Sequence, residues 1–110
     1  MGVNRLLAAA KFQVEYYFGQ SNYHKDDYLR AMEDSDGWIL ISDICQFPKM
    51  KKFNLTKEEV YTIMKLSTVV DVIEEDRWGD GNMVYYIRKR GDTYRDEYAG
   101  IFGFNIETIK

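Results

Sequence analysis

The chain has almost no cysteine, proline or histidine: one of each, Cys45, Pro48 and His24, in 110 residues. A single cysteine closes no disulfide within the chain and excludes a zinc site built on repeated cysteine pairs. With no second ligand beside it in the sequence, His24 reads as a surface residue rather than a metal ligand or base. One proline leaves no Pro-rich linker, and no repeat or low-complexity tract interrupts the chain. A long apolar run is also missing. MGVNRLLAAAKF is apolar only briefly before Lys11, Gln13 and Glu15, too short for a membrane span and without the form of a signal peptide. No membrane association is expected.

Positive charge is not in excess either. Fifteen Lys and Arg face eighteen Asp and Glu, a formal net charge of -3. That argues against a sequence-independent binder of long nucleic acids, which needs many phosphate contacts. It leaves room for a short single-stranded end, where stacking carries much of the affinity. Catalytic signatures are absent: no P-loop, no HExxH, no G-x-S-x-G. Asp26-Asp27 and Glu74-Glu75 are adjacent in sequence on regular elements, so neither pair needs to converge. No enzyme activity, cofactor or metal is expected.

Aromatic residues are what the chain has in quantity. Nine tyrosines outnumber six phenylalanines, so much of the aromatic surface carries a polar handle. The length and a hydrophobic content of 45% suit one compact domain with a modest core.

Periodicity predicts a helix over 4–18, with Leu7, Ala10, Val14 and Phe18 on one face. Gln13, Tyr16 and Tyr17 form a second stripe, roughly 100° around that helix. Gly19 is a stop signal. Asn22 is the expected cap of a short helix over 25–32. EDSDG (33–37) reads as a turn, and the apolar run 38–41 as a strand with Trp38 in the core. Ser42 is the expected cap of a helix ending near Phe47, before Pro48. KMKKFN (49–54) reads as a basic connector. Thr56 with Glu59 three residues later predicts a capping box, and the helix behind it should turn Val60, Ile63, Met64 and Leu66 inward. TVVDVIEED (68–76) and MVYYIRKR (83–90) read as a hairpin around the turn cluster WGDGN. Helices with a short strand and a terminal hairpin describe an α+β winged-helix domain with a small antiparallel sheet, over 1–90. Residues 91–110 change character. GDTYRDEY reads as a linker, and the apolar AGIFGFNIETIK reads either as a strand docking on the domain or as the first strand of a following one; its IFGFN resembles the first strand of an RNA-recognition motif.

Three segments resemble the La motif, the RNA-binding winged-helix domain of La and La-related proteins. They are QVEYYFGQSNYHKDDYL (13–29), DGWILISDICQFPKMKKF (36–53) and VVDVIEED (69–76). The first is the most specific, since many spaced polar and aromatic positions agree at once. Tyr23, His24, Leu40 and the stretch Leu55-Thr56-Lys57 depart from the family pattern. The resemblance implies a pocket for an RNA 3' end lined by Gln13, Tyr16, Tyr17, Asp26, Tyr28 and Phe47.

Each of these residues also has a plainer reading. Asp26 would otherwise be a helix N-terminal acid interacting with the macrodipole, Phe47 a core residue, and Gln13 a solvated helix residue. Within the motif, a carboxylate at Asp26 can accept from both hydroxyls of a terminal ribose. Tyr16, Tyr17, Tyr28 and Phe47 offer faces to bases, and Gln13 can meet a uracil edge. Lys49, Lys51 and Lys52, and Arg88, Lys89 and Arg90, form two basic clusters that could meet upstream phosphates or simply be solvated surface.

The function so implied is binding of oligouridine 3' ends with a free 3'-OH, protecting and chaperoning noncoding RNA. The expected form is a nuclear monomer followed by an RNA-recognition motif. A La-related domain acting on messenger RNA or poly(A) is the alternative, in the cytoplasm, or one belonging to a particle such as a telomerase or small nuclear RNA. A winged helix that reads duplex DNA or docks on protein is a third reading. It fits less well, because 42–47 carries Asp43 and no cation precedes Lys49.

Overall fold

The computed structural model describes residues 2–91, and side chains from residue 4 onward. The expectations for 92–110, a linker and a possible further strand, lie outside the described residues. Helix α1 spans Gly2–Phe18. A single 3-10 turn, Tyr23–Lys25, leads to α2, Asp27–Ala31. Strand β1 is Ile39–Leu40, followed at once by α3, Ile41–Ile44, and then α4, Pro48–Lys51. Helix α5 is Lys57–Met64, and the hairpin is β2, Val70–Glu75, and β3, Val84–Lys89. The strands form one antiparallel sheet in the order β1-β3-β2. This is the winged-helix α+β arrangement that the sequence predicts, with the hairpin as the wing.

The core forms where the helices meet one sheet face. Ala10, Val14 and Phe18 of α1 are fully buried, as their spacing requires. Leu29, Ile41, Ile44, Val60 and Met64 meet them from the other helices, and Ile39, Val70 and Ile87 from the sheet. A buried polar link also joins α1 to the α5–β2 connection. The Ser67 hydroxyl donates to Glu15 Oε2 at 2.8 Å and accepts from the Val69 amide at 2.9 Å. Lys11 donates to the same Glu15 oxygen at 3.0 Å. Nothing in the hydrophobic pattern announces this link, because its partners lie 52 residues apart.

Several local expectations are corrected. Asn22 makes no side-chain cap; Asp26 caps α2 instead, because the chain first completes a 3-10 turn. Ser42 lies inside α3, whose N-cap is Leu40: the chain passes from strand to helix without a polar cap. The strand expected over 38–41 shortens to two residues for the same reason. The helix expected to reach Phe47 stops at Ile44, and Phe47 is extended, as the residue before a proline tends to be. Pro48 opens α4 at its first turn, where a missing N–H costs nothing, so the basic connector is partly helical. Leu66 lies past the end of α5 and is exposed rather than inward. The capping box forms as predicted: the Glu59 amide donates to Thr56 Oγ1 at 3.0 Å and the Thr56 amide donates to Glu59 Oε1 at 2.9 Å.

Candidate nucleic-acid interface

The two adjacent tyrosines of α1 end in different environments. Tyr16 is 47% exposed and Tyr17 only 8%. Both were expected on an outward stripe, and Tyr17 departs from it. Neighbouring positions on a helix differ by roughly 100°, so one of the pair turns toward the core. The Tyr17 ring meets Phe47 edge-on, with centroids 5.0 Å apart. Tyr16 leans on Tyr17 at 6.4 Å.

Phe47 reaches this place because its extended backbone separates α3 from α4. It is 8% exposed, so the core reading of this ring holds. Its other neighbour is Tyr28 of α2, at 5.7 Å. Tyr28 is 71% exposed, so the cluster runs from a buried base of Tyr17 and Phe47 to two accessible rings, Tyr16 and Tyr28.

Polar groups gather on the same base. Burial pushes the Tyr17 phenol above its ordinary range; a side-chain hydrogen bond with Gln13 acts the other way, and the negative Asp26 nearby adds to the rise. Gln13 therefore reaches the Tyr17 hydroxyl, and Asp26 lies near enough for its charge to act there. Asp26 is held firmly. Its Oδ1 accepts from the Leu29 amide at 3.0 Å and its Oδ2 from Asn22 Nδ2 at 2.8 Å. Asn22 is fixed in turn by donating to the Tyr17 carbonyl at 3.0 Å. A carboxylate has about four acceptor positions. Among the described residues these bonds take two, which leaves one on each oxygen. Asn22, read from sequence only as a cap, is the residue that orients Asp26; its position four before the acid was the available signal.

All six predicted pocket residues thus join one connected cluster. The six basic residues do not form one patch. Lys49, Lys51 and Lys52 are exposed on α4 and its C-terminal end, directly after Phe47. Arg88 lies over the Trp38 ring, 4.2 Å from its centroid, and donates to the Asp36 carbonyl at 3.3 Å. Lys89 Nζ sits 5.7 Å from the Tyr23 ring, and Arg90 pairs with Asp71 at 2.8 Å. Trp38 is partly buried, not a full core residue. His24 is exposed beside Tyr23. Among the described residues, no three His, Cys, Asp or Glu side chains gather to hold a metal. No helix among them is long and apolar enough to cross a membrane.

A family model for the La domain matches residues 10–75, more than half of the chain and all six residues of the cluster. The chain belongs to the La domain family. Similar curated proteins agree with it. La-related protein 7 of Danio rerio is 35% identical over 75 residues, 66% of this chain and 14% of that protein. La-related protein 7 of Xenopus tropicalis is 39% identical over 72 residues, 64% of this chain and 12% of its own. The La protein homolog of Drosophila melanogaster is 30% identical over 67 residues, 57% of this chain and 17% of its own. The matched region therefore spans less than a fifth of these relatives. This La domain is an RNA-binding module of the La type, and the aromatic cluster lies within its family-matched part.

Proposed function

We propose that this La domain binds the 3' end of single-stranded RNA, preferring terminal uridines with a free 3'-OH. The observation that carries the reading is the Asp26 carboxylate, oriented from two sides at the edge of an aromatic cluster, with one acceptor position left on each oxygen. A terminal ribose offers two hydroxyls on adjacent carbons, so the carboxylate can accept from both through charge-assisted bonds. A 3'-phosphate would meet a like charge, and a 2'-deoxy end would leave one acceptor unused. Tyr16 and Tyr28 present faces on which bases can stack. Gln13 has a donor and an acceptor for a uracil edge. Tyr17 and Phe47 support that surface from below, and Lys49, Lys51 and Lys52 follow Phe47 where an upstream phosphate could pass.

In this reading the domain works by binding, without catalysis or a cofactor. Occupancy of the end shields it from exonucleases and favours productive folding of the RNA. The arrangement suits a nuclear monomer acting on noncoding transcripts, with an adjacent RNA-recognition motif closing over the strand. Fluorescence anisotropy with short oligo(U) and oligo(A), each ending in 3'-OH, 3'-phosphate or 2'-deoxyribose, tests it. Tightest binding of the oligo(U) 3'-OH strand is expected. Preference for oligo(A) would move the domain to messenger RNA or poly(A), and indifference to the terminus would remove the role given to Asp26.

A further inference from the structure

The carboxylate proposed to read the ribose end sits on a part of the fold that cannot hold itself. Asp26 caps α2, a helix of five residues that also carries Tyr28. A helix this short does not persist alone in water, because nucleation costs more than so few bonds return. Leu29 alone of the α2 residues is buried in the core. One anchor fixes a position and leaves an orientation open.

Three further side chains set the orientation. The Tyr23 hydroxyl donates to Glu33 Oε2, ten residues away, and the two residues bracket α2. Arg30 joins both. Its Nε donates to Glu33 Oε1 at 3.1 Å, and its guanidinium lies over the Tyr23 ring, 4.4 Å from the centroid. The Tyr23 ring stacks in turn on the fully buried Phe18, with centroids 6.1 Å apart and planes at 27°. The far end of α2 is thus tied through Tyr23 to the core end of α1. The Glu33 side chain is only 11% exposed, so its bonds are screened less than those of an ordinary surface pair.

Asp26 hangs between the two ends of this clamp. Its amide donates to the Tyr23 carbonyl at 3.4 Å, and its carbonyl accepts from the Arg30 amide at 3.0 Å. Its Oδ2 accepts from Asn22, the residue before Tyr23. Tyr23 departs from the La pattern and lies outside the aromatic cluster, so the resemblance gives it no role.

We propose that Tyr23, Arg30 and Glu33 are positioning residues, a clamp on α2 that presets the Asp26 carboxylate toward the ribose hydroxyls. This rests on the reading of Asp26 given above. With α2 already ordered, binding does not have to order it. A loosened clamp spreads the carboxylate over orientations that miss one hydroxyl or the other. The loss falls most on the ribose end, which engages both oxygens, and less on a 2'-deoxy end.

Tyr23→Phe removes only the hydroxyl and keeps the ring. Glu33→Ala removes its acceptor, and Glu33→Gln keeps one. Two readouts on the full chain test the clamp, with thermal melts to confirm folding. The first needs no RNA. Hydrogen exchange of the Leu29 amide reports directly on the carboxylate, because that amide donates to Asp26 Oδ1. Exchange should quicken severalfold in Tyr23→Phe and Glu33→Ala and much less in Glu33→Gln. The Val60 amide, bonded to the Thr56 carbonyl in α5, should stay as protected as in the original chain. The second readout is anisotropy on oligo(U) ending in ribose or 2'-deoxyribose. The ribose preference should shrink severalfold in Tyr23→Phe and Glu33→Ala and be largely kept in Glu33→Gln. Combining Tyr23→Phe with Glu33→Ala should add little, since both break the same bond. Unchanged Leu29 exchange overturns the clamp, whatever the RNA shows. Faster exchange with an undiminished ribose preference overturns its positioning role. An original chain without any ribose preference refutes the reading of Asp26 instead, and the exchange data still decide whether the clamp holds that carboxylate.

Discussion

Tyr16 and Tyr17 are neighbours in sequence and opposites in consequence. Tyr16→Ala removes an accessible ring and little packing, so oligo(U) affinity should fall by about 1–3 kcal/mol per lost stack. Its thermal midpoint should hardly move. Tyr17→Ala removes a buried ring that supports Phe47, and should destabilise the fold by about 3 kcal/mol or more. Thermal melts beside anisotropy separate the two; a Tyr16 variant that unfolds without weakening binding would reverse the assignment. The sequence brought both rings to one helix and could not tell them apart, since only packing decides which of two adjacent positions turns inward. Cys45 gives another residue-scale expectation. Burial pushes its thiol up, and the negative Glu58 adds to this. Only the thiolate reacts, so labelling by a disulfide reagent near neutral pH should be much slower in the folded chain than in urea. Equal rates would show that the thiol is not protected.

At the scale of elements, legibility followed the local chemistry. The capping box at Thr56 was readable because both its partners lie within one helical turn. Thr56→Ala should cost about 1 kcal/mol, read as a shift of the denaturation midpoint, and should leave RNA affinity unchanged. A loss of affinity at full folding would mean that α5 takes part in binding. The hairpin was readable from β-branched runs around glycines at positive φ, Gly79 and Gly81. The start of α2 was not, because Asn22 and Asp26 are both capping types and a 3-10 turn between them decides which one caps. The start of α3 carried no polar signal at all, with Leu40 at the cap. These two junctions, at Asp26 and before Phe47, set where the cluster forms.

Across the whole molecule, an acidic chain that binds RNA must rely on stacking and a few phosphates. If Lys49, Lys51 and Lys52 each meet one phosphate, log K should fall with log salt at a slope of about -2, from roughly -0.7 per contact on single strands. A slope twice as steep would reveal a phosphate track beyond α4. The fold and the membership of the cluster were legible together, because the La-type pattern spans both. A hollow over Trp38, Ile73 and Tyr86 was not, since its residues come from two strands and the segments beside them with no shared motif. The central claim is that Asp26 reads a ribose end. Asp26→Asn is the sharpest probe, as asparagine is an equally good helix cap and α2 should stay formed. Anisotropy on oligo(U) ending in 3'-OH or 2'-deoxyribose, for the original chain and for Asp26→Asn, gives the answer in one comparison. The account predicts that the original chain prefers the ribose end, which carries both the 2'- and the 3'-hydroxyl, and that the preference disappears in the variant. An equal preference in both would contradict it.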